Sequence, residues 1–194
     1  MKKFIFIGLC ACCAGLSTLY AQTIQNFELV NVVNNQKISL ETYPSCQGIV
    51  LVFTSNSCPY DDYYRKRIAD ITANYRDRVP LLLVNSHPEP EESREQMAAK
   101  ARQLGLQAPY LADKDQTLMT ALNVRKSPEA ILLKNQNGKF SVVYRGAIDD
   151  NAQVEADVHH HYLQDAIDIM LNSQQIATPV VRPVGCNLKK ADRP

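Results

Sequence analysis

Gly48-Ile-Val-Leu-Val-Phe-Thr-Ser-Asn-Ser-Cys-Pro-Tyr60 is the stretch that decides the fold. Its first six residues form a continuous apolar, β-branched run, the pattern of a strand buried on both faces of a parallel sheet. From Pro59 to about Arg78 the apolar positions Tyr60, Tyr64, Ile68, Ile71 and Tyr75 recur at helical spacing. The strand therefore runs into a helix through a short loop that carries Cys58. Pro59 suits the first helical position, where its fixed φ fits and its missing N–H is not needed, so Cys58 falls at the cap. There the unpaired N–H groups and the helix dipole favour the thiolate, the nucleophilic form of cysteine. Asp61 and Asp62 in the same turn oppose it, and Arg65 and Arg67 one turn on offset them in part, so a modestly lowered thiol pKa is expected. The competing reading is a small buried hydrophobe, as free cysteines often are.

Outward from this junction the elements alternate. Val79 to Asn85 reads as a second buried strand, and Glu91 to Leu104 as a helix rich in Glu, Gln, Ala and Arg. Strand, helix, strand, helix implies parallel strands joined by right-handed crossovers. A short helix fits Gln116 to Leu122, followed by Ser127-Pro128 and a strand over Ala130 to Leu133. The turn Asn135-Gln-Asn-Gly138 makes the next strand, Phe140 to Arg145, antiparallel. Asp149-Asp150-Asn151 supplies a helix start, and Val154 to Leu171 reads as the closing helix, with Val158, Tyr162, Ala166, Ile169 and Met170 on one face. On the other side, Phe27 to Leu40 reads as two short peripheral strands joined through Asn34-Asn35. Beyond Asn172 the chain turns irregular, with Pro179 and Pro183, as far as Gly185-Cys186.

The N-terminus is set apart from the fold. Lys2 and Lys3 precede an apolar run from Phe4 to Leu19 that ends in Leu19-Tyr20-Ala21, the anatomy of a secretory leader cleaved after Ala21. Acylation on Cys12 or Cys13 is the rival reading, but the residues after either cysteine stay apolar. What remains suffices for one domain with its own core. Of 21 basic residues Lys2 and Lys3 belong to the leader, leaving 19 against 20 acidic residues. That balance points to no nucleic-acid partner and no stable membrane partner. Cys10, Cys12 and Cys13 leave with the leader, so Cys46, Cys58 and Cys186 remain, an odd number that permits at most one internal disulfide.

Asp61, not a second cysteine, stands three residues after Cys58, so any resolving thiol comes from elsewhere in the chain or from outside. Cys186, in a proline-spaced tail expected to be mobile, is the better internal candidate. Cys46 precedes the central strand, and about 3.3 Å per extended residue puts it at the far end from Cys58. Ser127-Pro128 directly before a strand is where a cis proline can present the preceding backbone to a thiol site.

Three motifs carry a family resemblance: Asn56-Ser57-Cys58-Pro59-Tyr60, Tyr144-Arg145-Gly146-Ala147-Ile148-Asp149-Asp150-Asn151 and Gly185-Cys186-Asn187-Leu188-Lys189. In this order the chain resembles the thioredoxin superfamily, and within it the peroxiredoxin-like redoxins with a single Cys-Pro-Tyr motif. The resemblance implies an α/β, thioredoxin-like three-layer fold with a mixed central sheet, an N-terminal hairpin extension and an irregular C-terminal tail. With the leader over 1–21 set apart, the resemblance covers nearly the whole mature chain, read as a redoxin domain over 22–178 and a tail over 179–194 that carries Cys186. It makes Cys58 the nucleophile, Pro128 the facing cis proline and Cys186 the tail cysteine that pairs with Cys58, with Pro59, Tyr60 and Ser127 as substrate contacts. Peroxiredoxins carry Pro-x-x-x-Thr-x-x-Cys before the reactive cysteine. Here Leu51 stands where that proline belongs and Ser55 supplies the hydroxyl.

The expected activity is that of an exported, periplasmic or secreted thiol-disulfide oxidoreductase acting on protein or small-molecule thiols and disulfides, without a cofactor. A thioredoxin-fold scaffold with a structural Cys58–Cys186 bond is the alternative, and a thiol peroxidase the third reading. His87 emerges at the Cys58 end of the sheet and could complete a soft copper site with Cys58 and Cys186. Thioredoxin-fold copper chaperones carry two motif cysteines, however, so no metal is expected. His159, His160 and His161 read as a polar helix face, Asp149 to Asn151 as turn and cap residues, and Glu89, Glu91 and Glu92 as a solvated helix start. Tyr60 and Tyr64 are expected beside the thiol loop.

Overall fold

The computed structural model describes residues 22–191, so the expected leader lies outside the described residues. The chain forms β1 (Glu28–Asn31), β2 (Lys37–Ser39), β3 (Gly48–Phe53), α1 (Pro59–Tyr75), β4 (Leu81–Asn85), α2 (Arg94–Leu104), β5 (Tyr110–Ala112) and α3 (Thr117–Ala121). It continues through β6 (Lys126–Ser127), β7 (Glu129–Gln136), β8 (Lys139–Gly146), α4 (Tyr162–Leu171), β9 (Val180–Val181) and β10 (Cys186–Asn187). Eight strands make one mixed sheet in the order β2-β1-β5-β4-β3-β7-β8-β9, and β10 pairs with β6 apart from it.

The expected mixed sheet is present. β3 lies at its centre, parallel to β4 and antiparallel to β7. All six β3 residues are buried, and their alternation splits the core. Val50 and Val52 face a layer built from Tyr64 and Ile71 of α1, Met97 of α2 and Leu163 and Ile167 of α4. Ile49, Leu51 and Phe53 face the opposite layer, formed by Leu118 and Met119 of α3 with Ile38 and Leu40 of the N-terminal hairpin. Each fully buried aliphatic side chain contributes about 1.5–3 kcal/mol, so this strand anchors both layers and fixes where its C-terminal end, and Cys58 beyond it, must lie.

Both hairpin turns use the left-handed residues the sequence offers, Asn35 at φ 59° and the pair Asn137-Gly138 at φ 55° and 84°. The closing helix departs from expectation. It begins at Tyr162, not Val154, because side chains upstream capture the backbone first: Asn151 Oδ1 accepts from the N–H of Gln153 and Val154, and Asp150 Oδ1 from that of His159. The buried face is therefore Leu163, Ala166, Ile167 and Met170, not the stripe through Val158 and Ile169. His159 and His160 precede the helix and His161 is its N-cap, so they form no helix face.

The tail, expected to be irregular, pairs with the sheet edge. β9 adds parallel to the sheet edge, Arg145 opposite Val180 and Gly146 opposite Val181, with Arg145 N donating to Pro179 O at 2.9 Å and Ala147 N to Val181 O at 3.2 Å.

Asp149, expected to be a turn residue, is buried and bridges α1 to the segment after β8. Its carboxylate pairs with Arg67 Nη1 at 2.5 Å and accepts from Tyr64 Oη at 2.9 Å. The Arg67 guanidinium also lies 3.9 Å over the Tyr64 ring, and Nη1 donates to Asn151 O at 2.7 Å. Removing one member of a buried pair strands the other charge. Arg67→Met is predicted to lower stability by about 3–5 kcal/mol in urea unfolding, whereas a loss of only ~1 kcal/mol, typical of exposed pairs, would contradict this account.

Candidate active site

Cys58 is the N-cap of α1, with Pro59 at the first helical position, and its side chain is buried. Ser55 fixes the loop before it, its Oγ accepting from Ser57 N at 3.0 Å and Cys58 N at 3.1 Å. Ser55 is held in turn by Glu92. That carboxylate accepts from Ser55 Oγ at 2.6 Å, Asn56 N at 2.8 Å, Ser57 N at 3.1 Å and Asn85 Nδ2 at 2.7 Å. Burial alone would raise the Glu92 pKa, but these donors outweigh it and hold the carboxyl below its ordinary value. Glu92 is thus no solvated helix residue. Nothing local separates it from exposed Glu91, since its partners lie mostly 35 to 37 residues away along the chain.

Opposite Cys58 the Ser127–Pro128 peptide is cis, and Ser127 O lies 3.4 Å from Cys58 Sγ. Cys58 is disulfide-bonded to Cys186 across 128 residues of sequence, with Cα atoms 6.0 Å apart. β10 brings Cys186 there by pairing antiparallel with β6, Cys186 opposite Ser127 and Asn187 opposite Lys126. The segment is held mainly through its backbone: Lys126 Nζ donates to Gly185 O, Leu188 N to Arg125 O, Gln116 Nε2 to Lys189 O and Ala191 N to Gln116 Oε1. Gln116, buried and in the left-handed region at φ 54°, is a clamp that no local sequence pattern marks. Cys46 is a free thiol with its pKa pushed up by burial, at the far end of β3 as expected.

An open cleft of about 330 Å³ borders the disulfide and is lined by Cys58, Cys186, His87, Glu89, Glu91 and Glu92. His87 does reach the Cys58 end of the sheet. Its Nε2 lies 3.1 Å from Ser127 Oγ and its Nδ1 3.5 Å from Glu89. Burial depresses the His87 pKa, favouring the neutral ring despite nearby Glu92 and Glu89. A neutral imidazole lining the same cleft can act as a base, taking the proton of a thiol as its thiolate forms. Lys114, its pKa lowered to about 8 by burial, donates to His87 O and Asn85 Oδ1 from behind.

The two aspartates of the first turn separate. Asp62 is exposed and pairs with Arg65, while Asp61 is buried, its Oδ1 accepting from Thr54 Oγ1 at 2.6 Å. Its Oδ2 has no hydrogen-bond partner among the described residues. Burial pushes the Asp61 pKa up to about 7, against the hydrogen bonds that lower it. The expected opposition to the Cys58 thiolate from Asp61 is therefore reduced below neutral pH. Arg67 offers no offset, because it is committed to Asp149. Tyr64 also points to Asp149, while Tyr60 sits half-buried beside Pro59, its ring edge-on to Tyr63 at 6.1 Å. The hydroxyl that does reach the thiol loop is that of Tyr110, donating to Asn56 Oδ1 at 3.0 Å.

The sequence profile described as AhpC/TSA family matches residues 20–153. No match was found among curated proteins. Among solved structures, a hypothetical protein from Sinorhizobium meliloti 1021 is 25% identical, with a TM-score of 0.78 over 88% of this chain and 94% of that one. An uncharacterized conserved protein from Geobacillus kaustophilus is 24% identical, with a TM-score of 0.80 over 90% and 93%. A pneumococcal exposed lipoprotein thioredoxin from Streptococcus pneumoniae strain TIGR4 is 22% identical, with a TM-score of 0.54 over 74% and 99%.

The Asp61 carboxyl makes stability pH-dependent with a definite sign. The folded protein keeps its proton up to about pH 7, whereas the unfolded chain loses it near 3.8. Stability therefore falls as pH rises through that window and levels off above it, a loss on the order of 4 kcal/mol from this group. Asp61→Asn is predicted to gain on the parent protein by a few kcal/mol between about pH 4 and about pH 8, read by urea unfolding at both. A difference independent of pH would contradict the buried, proton-holding Asp61.

Proposed function

The chain belongs to the AhpC/TSA family and has a thioredoxin-like fold, and on that premise we propose that it is an exported thiol-disulfide oxidoreductase with Cys58 as nucleophile and Cys186 as resolving thiol. The observation that carries this reading is the Cys58–Cys186 bond, seated at the cap of α1 against the Ser127–Pro128 peptide and open to a cleft that His87 lines.

In the reducing direction, the Cys58 thiolate attacks one sulfur of a partner disulfide. A Cys58–partner bond forms as the partner's own S–S bond breaks, the departing thiolate takes a proton from water, and neutral His87, which lines the cleft, is the base that accepts the proton of the Cys186 thiol. The Cys186 thiolate then attacks Cys58 Sγ, which closes the Cys58–Cys186 bond and releases the partner's second thiolate. The partner gains two electrons and the protein loses two. An external thiol returns them, and the oxidising direction runs through the same intermediates reversed. Pro59 and Tyr60, exposed and half-exposed beside Cys58, and the Ser127 backbone are the contacts assigned to the partner. No cofactor is required for this exchange.

The peroxidase reading has less support. Leu51 is a buried strand residue where peroxiredoxins have proline, and the Ser55 hydroxyl is committed to Glu92 and two backbone N–H groups. Export rests on the leader over 1–21, and the tail over 179–194 acts as the carrier of Cys186.

Trapping tests this reading. Cys186→Ser protein recovered from the exported fraction is expected to begin at Gln22 and to accumulate mixed disulfides through Cys58, absent in Cys58→Ser/Cys186→Ser. Wild-type protein with a thiol reductant is expected to reduce protein disulfides, and Cys58→Ser to lose that turnover by about a hundredfold or more. A Cys186→Ser protein that traps nothing, with Cys58 alkylated only after unfolding, would leave the bond as a structural staple.

A further inference from the structure

The tail segment around Cys186 lies in the cleft as a cysteine-bearing strand would, and its fit there states what such a strand must look like. β10 crosses the Ser127–Pro128 peptide with Gly185 immediately before the cysteine. A Cβ built on Gly185 would overlap the Ser127 carbonyl oxygen, with Ser127 C at 2.6 Å and Pro128 N at 3.0 Å. These are backbone atoms, held between β6 and β7 and unable to swing aside as a side-chain end would. Gly185 is not in the left-handed region, so the requirement is for space and not for an unusual φ.

On the other side of the cysteine the hydrogen bonds are to backbone, and the one side chain packed on the apolar layer is that of Leu188. Leu188 N donates to Arg125 O at 2.9 Å, and Gln116 spans Lys189 O and Ala191 N at 2.7 and 2.8 Å. The one charged side-chain contact, Lys189 with Glu89 at 3.2 Å, joins groups 74% and 30% exposed, and such pairs contribute little. Main-chain pairing and the Leu188 contact thus supply the affinity, and the lack of room at Gly185 supplies a steric filter at the position before the cysteine.

Building on the oxidoreductase reading, we propose that Cys58 exchanges with extended polypeptide segments in which the cysteine directly follows glycine, and discriminates against any side chain at that preceding position. The substrate strand takes the place of residues 185–191, antiparallel to β6, once the Cys58–Cys186 bond has been reduced. In the exchange the Cys58 thiolate attacks the substrate cysteine's sulfur. A Cys58–substrate bond forms, the substrate's former disulfide bond breaks, and its former partner leaves as thiolate, so the number of disulfides is unchanged.

The test uses the reduced Cys186→Ser protein and two peptides, Gly-Cys-Asn-Leu-Lys and Ala-Cys-Asn-Leu-Lys, each activated on cysteine as a disulfide with 5-thio-2-nitrobenzoate. Release of the coloured thiolate reads the rate, and the Cys58→Ser/Cys186→Ser protein supplies the background from every other thiol. The serine-bearing tail competes equally with both peptides. The glycine peptide is expected to react ~tenfold or more faster than the alanine peptide, as an overpacked backbone contact implies, and faster than the activated disulfide of free cysteine. Equal rates for the two peptides, or a glycine peptide no faster than activated cysteine, would overturn the selectivity while leaving the oxidoreductase reading intact. No Cys58-dependent release from any of the three compounds would overturn both.

Discussion

One buried carboxylate, Glu92, sets the geometry on which the site depends. Burying a charge is costly unless hydrogen bonds replace its water, and Glu92 obtains four, three of them from consecutive residues Ser55, Asn56 and Ser57. Hydrogen bonds to a charged group are worth about 1.5–3 kcal/mol each, so the loop has little freedom to adopt another path. β3 delivers the chain to this loop at a fixed point in the sheet, and Ser55 hands the order on to the Cys58 N–H. The cysteine then caps α1 with its sulfur toward Ser127.

The tail meets this fixed point by two close backbone crossings. At the first, Gly146, at φ 130°, has no room for a Cβ against Val181. At the second, Gly185 lies against Ser127. Between them the chain needs only Arg182 to Val184 to pass from the sheet edge to the cleft. The hydrogen bonds at Arg145, Ala147, Arg125 and Gln116 involve neither sulfur, so they are available to hold a reduced Cys186 near Cys58 at high effective concentration. This arrangement suits a resolving thiol, and it also makes the tail a competitor that an incoming substrate strand must displace.

Much of this was legible in the sequence where the signal was local. The Gly48 to Phe53 run identified the central strand, Asn35 and Asn137-Gly138 marked the hairpins, and Cys-Pro marked the helix start. The family resemblance supplied the pairing of Cys58 with Cys186, which spacing alone left open. Long-range polar contacts were not legible. Glu92 and Glu91 look alike in sequence, as do Asp61 and Asp62, and only burial separates them. The start of α4 was misplaced because Asp150 and Asn151 spend their side chains on the loop's own N–H groups, a competition that hydrophobic periodicity does not register. The tail looked irregular because its order comes from pairing with β6 and β8, and two-residue strands leave no pattern.

Function as an oxidoreductase requires the Cys58–Cys186 bond to be a working redox couple and not a staple. Equilibrating the protein in buffers of graded dithiothreitol or glutathione ratio, and counting alkylated Cys58 and Cys186 by mass spectrometry, gives its reduction potential directly. A value between about −270 and −120 mV, the range of thioredoxin-fold exchange proteins, is the predicted result. A value below about −300 mV, as in structural disulfides of secreted proteins, would contradict it.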